Sequence, residues 1–360
     1  MKKFVVSFSI SLVAGVLLLA AFVALEDPFY HYHAPFFGEE AYMDNALYQT
    51  PGAAKNLKYD AVIIGSSMTE NFRESWFEEM GMNLQKLSYS GAEFKDYERI
   101  FDEVKKSSNN VGFVLTDINE FQLMSEVDAI YQKYPEYIYK GVGIGDVQYL
   151  LNEDVFWTAA GRALERVTGN KLKKDDSYTW EEAELFSKER ACRDYDLFAK
   201  GLEEKSKVGS FDEDRLCSDR ILLAEEKMKI ITDIVETNKD VTFVFYYPPY
   251  STLFWDEVIA DDNIDEVMQI YLTSMRSLLG YDNVYVFNFQ DYEELVSNLE
   301  RYRDVCHHDP QGNRFIYECI RDTINGMGEH MDEYRITEDN IDAWQDNLLS
   351  LMEKYCGESR

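Results

Sequence analysis

The chain has 360 residues, 46% of them hydrophobic and only 7 proline, which is enough for one large core or two modest ones and too apolar for long disorder. Its 67 acidic against 36 basic residues leave a formal charge of −31, a field that repels nucleic acid and anionic lipid and works against gripping a polyanionic polymer over a broad surface. The five cysteines, Cys192, Cys217, Cys306, Cys319 and Cys356, contain no Cys-x-x-Cys pair, which excludes a zinc ribbon recognisable by spacing and leaves a disulfide such as Cys192 with Cys217 open.

The first element is an apolar run from Phe4 to Leu25 without one charge. As a helix it spans about 33 Å, matching a hydrocarbon core of about 30 Å. Lys2 and Lys3 precede it and Glu26 and Asp27 follow it, so the positive-inside bias puts the amino terminus in the cytoplasm and the remainder outside. The run is longer than an ordinary signal-peptide core and no clean small-x-small site precedes Glu26. Residues 1–26 are therefore expected to be an uncleaved transmembrane anchor, with a cleaved signal peptide as the rival.

Residues 27–58 form an aromatic, turn-rich juxtamembrane segment whose Phe29, Tyr30, Tyr32, Phe36 and Phe37 suit either a membrane interface or the flank of a domain. His31-x-His33 has the form of a metal pair, but no third ligand is near in sequence.

From residue 59 a unit repeats: a short apolar run, a loop, then a helical pattern. The runs are AVIIG (61–65), a weaker NLQKLSYS (83–90), VGFVLTD (111–117), VTFVFYY (241–247) and NVYVFNF (283–289), with helices expected near 93–107, 222–238 and 263–279. Continuous apolar runs imply strands covered on both faces. The fold class is therefore α/β, a three-layer doubly wound parallel sheet over 59–330.

A Tyr-, Glu- and Lys-rich interruption at about 120–221 is too long for a crossover and is expected to be a large helical insertion, a lid or substrate wall. Within it Arg162, Arg166, Lys171, Lys173 and Lys174 form the one local basic exception, read as either an anion contact or a solvated helix end. Residues 331–360 are expected to carry a C-terminal helix starting near Thr337 as N-cap.

Ligands of an open parallel sheet bind at the carboxyl ends of strands, where Gly65-Ser66-Ser67 ends the first run. A helix starting at about Thr69 is expected to aim its free N–H groups at the Ser67 hydroxyl. A serine needs a base, and the base an orienting carboxylate. Asp304-x-x-His307 follows the last run and opens at the same edge, with His308 as the alternative base; Asp309-Pro310 reads as turn chemistry. "YYPPYS" (246–251) exits the fourth run there too, and reads as a structural turn or as pocket lining through Tyr250 or Ser251.

Here the sequence resembles the SGNH, or GDSL-like, hydrolase superfamily, which has a flavodoxin-like fold, a Gly-x-Ser block after its first strand and an Asp-x-x-His block near its carboxyl end. Gly65-Ser66-Ser67 matches the first block with Ser66 in place of the usual aspartate, and Asp304-Val305-Cys306-His307 matches the last. The resemblance implies Ser67 as nucleophile, His307 as base and Asp304 as its orienter. It implies an oxyanion hole of Ser67, Gly91 in "SYSGAEF", and Asn119 in Asp117-Ile118-Asn119-Glu120, a block that lacks the family's glycine. The α/β-hydrolase elbow does not fit, because Thr69 stands where its second glycine belongs.

One anchor, an extracytoplasmic domain, a Gly-Ser-Ser block and a large insertion together look like the membrane-anchored subgroup acting on cell-envelope polymers, including the D-alanyl-lipoteichoic-acid and alginate-acetylation type proteins. The expected activity is a serine esterase or O-acyltransferase acting on acyl esters of a cell-envelope polysaccharide or glycolipid. The expected partners are that acylated carbohydrate or glycolipid, the membrane and a membrane O-acyltransferase, with no nucleic acid, metal or cofactor. The rival is a catalytically silent domain that binds polysaccharide or a membrane acyltransferase.

Overall fold

The structure is a computed structural model that describes residues 1–36, 41–131, 133, 135–140, 143, 145–169, 174–176, 180, 182–196, 217–260 and 263–356. It contains two compact units. One comprises Met1–Tyr59, Ile100–Asn109 and Gln132–Tyr178; the other comprises Asp60–Arg99, Asn110–Tyr131 and Thr179–Arg360.

The first unit is built on the helix Lys2–Glu26, which is long and apolar enough to cross a membrane and has a mean hydropathy of 2.6 over its most apolar stretch. It stops at Asp27, a non-glycine residue with φ of 37°. That carboxylate accepts the backbone N–H groups of His31, Tyr32 and His33 and the hydroxyl of Tyr149, which fixes the turn after the helix. Phe29 and Tyr30 are buried inside the unit, so these two rings serve packing.

Arg162 donates to the Tyr30 hydroxyl and the Tyr42 carbonyl, and Arg166 grips the Glu26 carboxylate with both terminal nitrogens. Two members of the basic run are thus engaged within the unit, while Lys171 and Lys173 lie outside the described residues. Phe37 and much of the expected insertion also lie outside them, and of Cys217 only the backbone is described; Cys192, Cys306, Cys319 and Cys356 are free thiols.

The second unit holds a mostly parallel six-stranded sheet. Its strands are β1 (Ala61–Gly65), β2 (Leu84–Ser88), β3 (Phe113–Asp117), β4 (Thr242–Tyr247), β5 (Val284–Asn288) and β6 (Arg335–Ile336), in the order β2-β1-β3-β4-β5-β6. The first five are parallel; β6 runs antiparallel along the edge of β5. Every residue of β1, β2 and β3 is buried, including the polar Gln85, Lys86 and Ser88 of β2 and Thr116 and Asp117 of β3. Chain order reverses between β1 and β3, so the carboxyl ends of these strands bound the crevice at the switch point.

Helices Phe94–Lys106, Cys217–Thr237 and Ile264–Leu279 fall close to the expected spans. Two other expectations are corrected. No α-helix begins at Thr69; two 3₁₀ segments, Ser67–Thr69 and Glu74–Met80, follow β1 instead. The Lys86 ammonium donates to the carbonyls of Glu70 and Phe72, and the Thr69 hydroxyl donates to the Ser66 carbonyl, so side chains take acceptors that a helix would use.

The last helix is Ile341–Tyr355, with Asn340 rather than Thr337 at its N-cap, because the Thr337 carbonyl closes a preceding turn by accepting the N–H groups of Asn340 and Ile341. The two-residue β6 is too short to leave a periodic signal.

Candidate active site

Ser67 is presented by a turn held on every side. Gly65 is required there: a Cβ would lie 2.3 Å from Thr69 Oγ1 and 2.7 Å from Asp117 Oδ1, so any side chain would drive β1 away from β3. Ser66 accepts the Met68 N–H at 3.3 Å, while the Met68 carbonyl accepts from Tyr246 and Asn313 at 3.0 and 3.1 Å. Strands β1 and β4 and the helix Pro310–Asn325 therefore position one serine.

The base and acid come from the loop 302–309. Ser67 Oγ lies 2.8 Å from His307 Nε2, and His307 Nδ1 lies 2.7 and 2.9 Å from the two oxygens of Asp304. With Nδ1–H donated to the carboxylate, Nε2 carries a lone pair facing the Ser67 hydroxyl proton. Asp304 also accepts the backbone N–H groups of Cys306 and His307. Burial works to raise its pKa, but the hydrogen bond and charge of His307 and those two N–H groups outweigh burial and hold it below the ordinary carboxylate value.

The loop is closed by a Tyr302–His308 bridge and by Arg301 forked onto Asp309, whose side chain also caps the following helix at Gly312. The Ser251 backbone N–H and hydroxyl both donate to the Val305 carbonyl. "YYPPYS" thus braces the loop, and its Tyr250 and Ser251 are buried.

His308 is turned into the core. It is 2% exposed, its Nδ1 bonds the Asp309 carbonyl, and its Nε2 has no partner among the described residues. Burial pushes its pKa down to about 4, so the ring is neutral at pH 7. It packs against Asp309, Tyr302 and Gly312, and the alternative base is therefore not the imidazole that meets Ser67.

For the oxyanion hole the backbone positions stand out. Among the described residues neither the Ser67 nor the Gly91 N–H has an acceptor, and Gly91 takes a φ of +76° that favours glycine. Asn119 is differently placed. It is fully buried, its Nδ2 lies on Asp117 Oδ2, Ser66 Oγ and Gln122 Oε1, and its Oδ1 accepts from Tyr250. Both amide hydrogens have acceptors beneath the nucleophile turn.

Asp117, Tyr97, Gln122 and Trp180 join the site without having been singled out in the sequence. Asp117 accepts from the Ser66 N–H and hydroxyl, the Tyr97 hydroxyl and Asn119 Nδ2. Gln122 Nε2 reaches the Tyr97 hydroxyl and the carbonyl of Ala92, tying the residue after Gly91 to the same network. The Trp180 ring stands edge-to-face with His307 at 4.8 Å, the Trp180 backbone N–H donates to Asn71 Oδ1, and the Arg303 guanidinium lies 4.3 Å from the ring centre.

His31 and His33 belong to the first unit. His31 Nε2 is 3.4 Å from Asp146 Oδ1, and the ring nitrogens of His33 both face backbone carbonyls, a set that does not suit a metal ion.

No protein-family model matches the chain, and no curated protein matches it in sequence.

Proposed function

We propose that this chain is an extracytoplasmic, membrane-anchored serine esterase or O-acyltransferase of the SGNH type, acting on acyl esters of a cell-envelope polysaccharide or glycolipid. The observation that carries the reading is the continuous line from Ser67 Oγ through His307 to Asp304. The strand order 2-1-3-4-5, the flavodoxin-like order, and the position of Ser67 at the switch point agree with it. The anchor reading rests on the exposed apolar helix Lys2–Glu26 and its flanking charges. The envelope-polymer substrate rests on the resemblance in architecture.

Chemically, Ser67 Oγ attacks the ester carbonyl carbon as His307 Nε2 takes its proton, while Asp304 holds the imidazolium. The Ser67 and Gly91 N–H groups stabilise the oxyanion. Collapse of the intermediate breaks the bond to the alcohol oxygen, which receives the proton from His307 and leaves. Water or a sugar hydroxyl then takes the acyl group from Ser67 by the reverse sequence, giving hydrolysis or transfer.

One observation favours the silent-domain reading: both Asn119 amide hydrogens already have acceptors, which removes the third donor from the hole. A fluorophosphonate probe applied to the full-length protein in detergent separates the two. Labelling in wild type that is lost in Ser67→Ala and His307→Ala supports the enzyme. A folded wild type that takes up no label leaves the silent binding domain.

A further inference from the structure

Away from the serine, the helix Pro310–Asn325 and the loop after it bring together a thiol, an imidazole and a carboxylate. Cys319 lies on the buried face of that helix, and Asp322 and Thr323, three and four residues on, share its side of the helix. Those two residues staple the returning loop: the His330 N–H donates to Asp322 Oδ2 at 3.1 Å and the Asp332 N–H to Thr323 Oγ1 at 2.9 Å. The loop so held places His330 Nδ1 2.7 Å from Glu333 Oε2, and one imidazole nitrogen of His330, one carboxylate oxygen of Glu333 and Cys319 Sγ all lie within 4.8 Å of one another.

His330 and Glu333 also border a cleft of about 660 Å³ whose wall includes Asp291, Glu293 and Glu294. Asp291 Oδ1 is buried there with no hydrogen-bond partner among the described residues. A carboxylate oxygen without a donor, on the same wall as Glu294 and Glu333, while Glu293 is paired with Lys354, gives the cleft an acceptor that suits a cation.

We infer that Cys319, His330 and Glu333 form a binding site for a divalent transition-metal ion of the zinc type. Soft thiolate and imidazole select zinc or cobalt over magnesium or calcium. Tetrahedral zinc with bonds of about 2.0–2.3 Å needs donor atoms about 3.4–3.7 Å apart. Side-chain adjustments of about an ångström bring the set to that geometry, as the ion replaces the proton now shared by His330 and Glu333. On binding, Cys319 loses its thiol proton to the buffer. The ion would bolt the loop 327–334 to the helix, a structural role that does not depend on the serine chemistry.

The test uses the full-length protein in detergent, stripped with a chelator and kept reduced with a non-thiol reductant. One equivalent of Zn²⁺ is expected to bind and raise Tm, and Co²⁺ to give a thiolate charge-transfer band in the near ultraviolet. Cys319→Ser removes the band. Because Cys319 is fully buried and its variant can lose stability for packing reasons, His330→Gln at a position 24% exposed is the second variant. It is expected to weaken Zn²⁺ by at least about tenfold. A wild type without the cobalt band, or Zn²⁺ binding equally tight in His330→Gln, overturns the site.

Discussion

Ser66 and Asp117 are bonded twice: Asp117 accepts the Ser66 N–H at 2.9 Å through one oxygen and the Ser66 hydroxyl through the other. The Gly-x-Ser pattern that the chain resembles carries an aspartate at the position of Ser66. Here the carboxylate comes from the end of β3 and a serine meets it from β1, so the turn before Ser67 still rests on a carboxylate.

That exchange has a measurable consequence. Asp117→Asn turns one acceptor into a donor facing donors in a fully buried network, at a cost of about 2–4 kcal/mol. Ser66→Asp sets two carboxylates against each other and is expected to cost more. In the double variant Ser66→Asp with Asp117→Asn, the charge is single again. Thermal unfolding should therefore show each single change lowering Tm by several degrees and the double variant recovering part of the loss; strictly additive losses would remove the exchange argument.

Trp180 shields the imidazole on the side where it packs, and Arg303 stacks on it while lying 3.7 Å from Asp304. Replacing Trp180 by alanine removes an edge-to-face contact worth about 0.5–1.5 kcal/mol. The fluorophosphonate labelling rate of Ser67 is expected to fall about 3- to 10-fold, with Trp180→Phe keeping most of it. An unchanged rate in Trp180→Ala would show that the ring does not orient His307.

The parallel strands and the approach of Ser67, His307 and Asp304 were legible because most of them leave a local signal. Apolar runs mark β1, β3, β4 and β5 and a weaker one marks β2, and Gly65-Ser66-Ser67 and Asp304-x-x-His307 are short blocks at strand ends. What escaped depends on partners distant in sequence. The α-helix expected from Thr69 is absent because Lys86, on another strand, takes the carbonyls of Glu70 and Phe72. Tyr97 and Trp180 are single aromatic residues in stretches without a motif, and only the fold brings them to Asp117 and His307. Cys319 and His330, eleven positions apart, match no ligand spacing.

The buried His308 makes the fold acid-sensitive. Its pKa falls from about 6.5 in the unfolded chain to about 4 in the folded one, so between those values the unfolded state binds the extra proton. The stability it contributes is fully present above about 6.5 and is lost as pH falls to about 4, by up to about 3 kcal/mol. His308→Asn, whose amide can keep the bond to the Asp309 carbonyl without titrating, should flatten this part of the curve. Comparing unfolding of the two proteins at pH 7 and pH 4.5 checks it; parallel losses would assign the acid sensitivity to other groups.

Glu70 gives the opposite sign. It is fully buried three residues after Ser67; one oxygen accepts from Ser90, next to Gly91, and the other has no partner among the described residues. Burial pushes its pKa up to about 8 against the help of Ser90 and Lys86. The folded state therefore holds the extra proton between about 4.5 and 8, and stability falls as pH rises through that window, by about 4–5 kcal/mol in all. Glu70→Gln keeps the shape without the charge. Its Tm should be close to wild type at pH 4.5 and clearly higher at pH 9. An equal difference at both pH values would mean that the carboxyl does not titrate in the folded protein, and that the Ser90 bond is made by a carboxylate throughout.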